Sequence, residues 1–112
     1  MLVVRKDGSW LLPGGKPETG ESDLECLCRE VHEELSKTKL KNIRYYGEFI
    51  GKTHVGEEFK TKVYLADIDG KLGKPSGEII ASVWINDINN YIFSNMNSMV
   101  IGSLINENYL KT

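Results

Sequence analysis

The sequence predicts an α/β or α+β sandwich in one domain over 1–112, and three observations predict it. The chain has 112 residues, room for one hydrophobic core and too few for a βα barrel or a two-domain enzyme. Strand-like and helix-like segments follow in the order β-β-α-β-β-β-α, with Gly, Pro, Asn or Asp at most junctions. The set AVILMFWYC makes up 40% of the chain. A chain of this size buries roughly two-thirds of its unfolded surface, enough for a core without staples.

Met1 to Arg5 reads as a strand, Asp7-Gly8 as a tight turn and Ser9 to Leu12 as the returning strand. Pro13-Gly14-Gly15 ends that strand, because neither residue type suits a strand interior. A loop runs through Lys16-Pro17-Glu18-Thr19-Gly20-Glu21. Ser22 then opens a helix, since Ser22-x-x-Glu25 is a capping box. Leu24, Leu27, Cys28, Val31 and Leu35 recur at helical spacing and predict its apolar face, with the helix ending around Ser36. Lys37, Lys39 and Lys41 suit the negative pole beyond that end. Ile43 to Ile50 and Phe59 to Asp67 read as strands, the second alternating around Val63 and Leu65, with a turn over Thr53 to Glu58. Asp69-Gly70 marks a turn, Lys71 to Gly77 a polar loop and Ile79 to Ile85 a short strand. A last helix over Asn95 to Asn108 would turn Met96, Met99, Val100, Ser103 and Leu104 inward.

The net charge of −2 excludes the basic excess expected of a nucleic-acid binder. The longest wholly apolar run, Met1 to Val4, fits neither a signal peptide nor a membrane span. Cys26 and Cys28 would point about 200° apart on a helix and so cannot bridge each other. That usage points to a reducing, cytoplasmic compartment.

The charge is uneven. Seven carboxylates lie between Glu18 and Glu34, with Arg29 as the one base among them. Within this run Glu30, Glu33 and Glu34 stand at i, i+3 and i+4, an arc of about 100° lying roughly 120° around from the apolar stripe. Three carboxylates converging there repel unless a cation joins them, and Mg2+ is the hard, oxygen-seeking ion such a set suits, with Mn2+ as the alternative. Arg29, at the edge of the same face, could hold Glu30 in place. Gly14 and Gly15 let backbone approach a metal or phosphate closely, and Lys16 follows as a cation for phosphate oxygens.

These residues resemble a known family. Gly15, Glu21, Arg29, Glu30, Val31, Glu33 and Glu34 fit the pattern G-x5-E-x7-R-E-U-x-E-E-x-G-U, where U is a bulky aliphatic, in the stretch Gly15 to Lys37. This is similar to the Nudix box of the Nudix hydrolase superfamily, and Trp10-Leu11-Leu12-Pro13-Gly14-Gly15 looks like its usual approach. The resemblance implies an α/β/α sandwich with a mixed sheet. Two positions depart: Ser36 stands where the family has Gly, and Lys37 where it has an aliphatic. The family's Gly is a left-handed helix cap, so Ser there should cost about 1 kcal/mol or send the loop along another path. Relatives usually carry another strand ahead of the first hairpin. Either the start is internal, or a partner chain covers the open sheet edge, which points to a homodimer.

The resemblance further implies Mg2+-dependent hydrolysis of the pyrophosphate linkage in nucleoside diphosphate-X compounds. Glu30, Glu33, Glu34 and the Gly15 carbonyl would hold the metal, and Glu30 could instead be the base that deprotonates water. Arg29 would orient Glu30, Glu21 would support the loop-helix junction or an outer metal shell, and Gly14 and Lys16 would meet phosphate. Glu78, in the loop entering the late strand, is a further candidate ligand or base. Cys26 reads as a small packing residue, His32 as surface, and His54 as a turn residue within possible reach of a substrate base. Tyr45, Tyr46 and Phe49 read as sheet packing. The stretch Gly51 to Gly56 lacks the Pro or Tyr that marks the ADP-ribose and dinucleoside polyphosphate subfamilies, and the small size is similar to the MutT-like nucleoside triphosphate group. ADP-ribose or another sugar nucleotide is the alternative substrate, and a non-catalytic nucleotide-binding module the alternative role.

Overall fold

The computed structural model describes residues 1–6, 9–52, 55–87, 91, 93, 95–107 and 109, with backbone alone at 52, 59, 95 and 96. The expected element order is observed: β1 (Leu2–Lys6), β2 (Ser9–Leu11), α1 (Asp23–Glu34), β3 (Lys39–Lys52), β4 (Glu58–Asp69), β5 (Ala81–Trp84) and α2 (Asn95–Asn106). The Asp7-Gly8 turn and His54 lie outside the described residues, as does the side chain of Met96. Among the described residues no helix is long and apolar enough to cross a membrane.

One sheet has the order β2-β1-β5 and the other pairs β3 with β4, all antiparallel. Parallel pairing among the described residues is confined to one bridge, Trp10 with Phe93. Strand alternation on β1 shows where the layers lie. Leu2 and Val4 face a core with Val31, Leu35 and Ile79 beneath α1, whereas Met1 faces the core of Val100, Ile101 and Leu104 beneath α2. The three-stranded sheet therefore sits between the two helices, an α/β/α sandwich. The β3-β4 pair contributes Tyr46, Phe49, Val63 and Leu65 to the α2 side, and the Tyr46 and Ser103 hydroxyls lie 2.8 Å apart.

Three expectations are corrected. β3 extends well beyond Ile43 to Ile50, because Asn42 adopts a left-handed conformation (φ 52°) that bends the strand without ending it. Leu24 and Cys28 are exposed, whereas Cys26 is buried. At 100° per residue, this turns the inward face of α1 about 60° toward the carboxylates. On α2, Met99 is exposed and Ile101 is buried. The run Met99-Val100-Ile101 is apolar on adjacent sectors, so periodicity did not fix the rotation, and the stiff branched residues took the core.

Candidate functional site

Two caps and one loop fix the site. At the start of α1, Ser22 Oγ accepts from the Glu25 N–H and Glu25 Oε1 accepts from the Ser22 N–H, both at 3.1 Å. The reciprocal pair satisfies two otherwise orphaned donors and starts the helix at a defined residue. Row Cys26-Glu30-Glu34 then faces the loop of Gly14 and Gly15. Cys26 is the packing residue expected, its Sγ 3.5 Å from the Gly15 carbonyl and its thiol raised by burial. The Gly14 N–H donates to Glu34 Oε1 at 2.9 Å. A Cβ on Gly15 would fall 2.5 to 2.9 Å from the carboxylate atoms of Glu30, so any larger residue there would displace that carboxylate.

Arg29 is the hub of the acidic face. Its Nε and Nη2 donate to the two Glu21 carboxylate oxygens at 2.7 and 3.0 Å, a bidentate pair. Nη1 donates to Glu30 at 2.9 Å and to Glu33 at 3.4 Å, and Nη2 reaches the Lys16 carbonyl at 3.4 Å. The guanidinium holds the Glu21 carboxyl down to about 2, and Glu21 first, then Glu30, raise Arg29 further above its ordinary value. Glu34 is held instead by a neutral backbone amide, that of Gly14. Burial, with the charge of Glu30 adding to it, pushes its carboxyl up to about 7, against the opposing bond from Gly14.

The C-terminal end of α1 departs from the expected geometry. Ser36 is not the left-handed residue; Lys37 is (φ 62°), and its N–H donates to the His32 carbonyl at 3.0 Å. The chain takes the other path and turns one residue later. The loop 73–78 then docks on the helix end. Gly73 N–H donates to Thr38 Oγ1 at 2.7 Å, Ser76 N–H donates to the Glu34 carbonyl at 2.9 Å, and Ser76 Oγ donates to the Glu33 carbonyl. A Cβ on Gly73 would stand 2.0 Å from the Ser36 carbonyl oxygen, so the approach admits only glycine.

The result is a cleft of about 330 Å³ lined by Glu30, Glu33, Glu34, Ser76, Gly77, Glu78 and Ile79. The docked loop brings Glu78 beside the three helix carboxylates, where its exposed side chain pairs with Lys6, Nζ to Oε2 2.6 Å. Lys16 is exposed and is not among the cleft-lining residues. A second hollow of about 490 Å³ shares Glu33 with the cleft and runs past Arg29 and His32 to Lys39 and Asp69. Lys6, Gly73 and Ser76 escaped the sequence reading. Contacts between a strand end, a polar loop and a helix end have no local signature.

The donor set of the cleft is four carboxylates, hard oxygen ligands that suit a divalent cation of the Mg2+ type. Burial first, and the charges of Glu30 and Glu33 after it, raise the Glu34 carboxyl to about 7, and a cation held here would offset both. Among the described residues, however, no group of three or more His, Cys, Asp or Glu is placed so that it could hold a metal ion as the side chains stand. The reason lies in the bonds already given: Arg29 draws Glu30 and Glu33 to one side, while Gly14 holds Glu34.

The NUDIX domain family matches residues 1–86. Among solved structures, the fold is similar to a protein from Chromobacterium violaceum assigned to the Nudix hydrolase family, with a TM-score of 0.74 and 24% identity over 99% of this chain and 71% of that one. It is also similar to the Bacillus subtilis pyrophosphohydrolase BsRppH, with a TM-score of 0.66 and 25% identity over 98% of this chain and 76% of that one. No curated protein matches. Because the family match runs through the capped helix and the docked loop that together form the cleft, the chain belongs to the Nudix hydrolase family.

Proposed function

We propose that the chain is a Mg2+-dependent pyrophosphohydrolase acting on nucleoside diphosphate-X compounds, with nucleoside triphosphates of the MutT-like kind as first candidates. One observation carries the reading: Glu30, Glu33, Glu34 and Glu78 line a single cleft. A silent binding module would have no use for four carboxylates at the mouth of a site for anions. The similarity to a pyrophosphohydrolase supports cleavage of the same type of bond.

Glu30, Glu33, Glu34 and the Gly15 carbonyl would hold Mg2+, which neutralises phosphate oxygens and lowers the cost of deprotonating water. The chain's own groups do the rest. Arg29 holds Glu30 and Glu33 at fixed separations and is itself fixed by Glu21. Glu30 or Glu78 accepts the proton of the attacking water. The water oxygen bonds to one phosphorus, the bridging P–O bond breaks, and its electron pair leaves on the departing phosphate. Gly14 and Lys16 lie outside the cleft lining and would meet only phosphates that extend beyond it.

The test is a screen of nucleoside and deoxynucleoside triphosphates, ADP-ribose and NADH with Mg2+, reading phosphate-containing products. Turnover that is lost with chelator and in Glu33→Gln is the expected result. Binding of nucleotide with no turnover on any of them would overturn the enzyme reading in favour of a non-catalytic module. Faster turnover of ADP-ribose than of triphosphates would move the substrate to the sugar nucleotides.

A further inference from the structure

Lys6 ends β1, and its position follows from register. Val4, two residues earlier on the same strand face, packs with Val31, Leu35 and Ile79 beneath α1. The next side chain on that face is Lys6, which emerges where this core gives way to the cleft. Pairing of β1 with β5 sets Arg5 against Ala81, and the Ile80 N–H donates to the Arg5 carbonyl at 2.9 Å. The turn at 77–78 is thereby drawn over the strand end, where Lys6 meets Glu78 at 2.6 Å. Glu78 lines the acidic cleft, so the ammonium that pairs with it stands at the edge of that cleft.

A pyrophosphate entering this cleft brings several negative charges to a wall of carboxylates. Arg29 is committed to Glu21, Glu30 and Glu33. Lys6 is bound to Glu78 through a pair whose side chains are 44% and 77% exposed, and such exposed pairs exchange partners at little cost. A phosphate oxygen is at least as good an acceptor for an ammonium as a carboxylate, and it carries more charge. We infer that Lys6 is a substrate-binding residue that exchanges the Glu78 carboxylate for a phosphate oxygen, releasing Glu78 into the cleft as the substrate arrives. The inference rests on the reading of the cleft as a pyrophosphohydrolase site.

Calorimetric titration of the full chain with pyrophosphate at fixed Mg2+ tests it. Lys6→Met weakens pyrophosphate binding about tenfold, and Lys6→Arg restores most of it. Glu78→Gln tightens binding several-fold, because it removes the group that competes for Lys6. Charge alone would give the same opposition, so the double variant decides: under the exchange Glu78→Gln tightens binding in the parent but not in Lys6→Met, and equal tightening in both backgrounds overturns it. Equal binding by Lys6→Met and the parent, or weaker binding by Glu78→Gln, overturns the exchange. A parent protein that hydrolyses anhydrides while Lys6→Met binds pyrophosphate unchanged removes Lys6 alone. A parent that neither binds Mg2+-pyrophosphate nor hydrolyses any anhydride removes the functional reading and the exchange with it.

Discussion

Gly15 lacks a side chain at the one place where the Glu30 carboxylate occupies the space a Cβ would need. The obstructing atoms are the mobile end of a side chain, so Gly15→Ala should leave the fold nearly intact and push Glu30 off its bond to Arg29. Turnover should fall at least about tenfold while the midpoint of thermal unfolding moves by only a few degrees; equal losses in both would show a structural role instead. Glu34 gives a pH prediction with the opposite sign to an ordinary paired acid. Its carboxyl is raised from 4.5 to about 7, so between these values the folded state binds a proton that the unfolded state has released. Stability of the metal-free protein therefore falls as pH rises through that window, by roughly 1–2 kcal/mol once partial exposure is allowed for. Glu21 works the other way: held near 2 by Arg29, it contributes stability above 4.5 that is lost as pH falls toward 2. Melting curves of the parent and Glu34→Gln from pH 4.5 to 8 in chelator check this. The variant should lose the decline at neutral pH, and Mg2+ should restore the parent there.

At the scale of the element, α1 was the most legible part of the chain. Ser22-x-x-Glu25 specified its start, and the capping box is present. The spacing of Glu30, Glu33 and Glu34 placed them on one side, and all three line one cleft. Two things were not legible. The rotation of the helix is a tertiary property, set by how far the loop of Gly14 and Gly15 draws in the row Cys26-Glu30-Glu34. The other end of α1 is capped by a loop nearly forty residues downstream, through Gly73 and Ser76, a distance no local pattern spans. Lys37 carries the left-handed turn there without being glycine. Lys37→Gly should therefore stabilise the protein by up to about 1 kcal/mol, less what glycine adds to the unfolded chain's freedom. Gly73→Ala should do the reverse, costing about 1–3 kcal/mol or more, because the obstruction is a backbone carbonyl that cannot rotate away. Turnover should fall with it, since the same loop carries Ser76 and Glu78 to the cleft. Denaturant unfolding of both variants measures the two signs.

For the molecule as a whole, the first four residues hold the layers together. Val3 and Val4 are both fully buried, so β1 is covered on both faces. That is why Met1 to Val4 reads as an unbroken apolar run and not as an alternation, a pattern proper to a strand buried on two sides. The order of elements was legible from such patterns. The division into a three-stranded sheet and a separate long hairpin was not, because pairing register between distant strands leaves no trace in either one. The core beneath α1 and the core beneath α2 stand on opposite faces of β1. Neither face of one strand can lose its structure while the other keeps it, so the two cores should melt together. Leu35→Ala and Leu104→Ala remove buried side chains from different cores, and each should lower the same single transition by about 2–5 kcal/mol. The two losses should add to within about 0.5 kcal/mol, as expected of sites that share no neighbours. Leu24→Ala is the control: at 47% exposure it should change stability by no more than about 0.5 kcal/mol. Calorimetry showing two resolved transitions, with Leu35→Ala shifting one and Leu104→Ala the other, would mean that β1 does not join the cores into one folding unit.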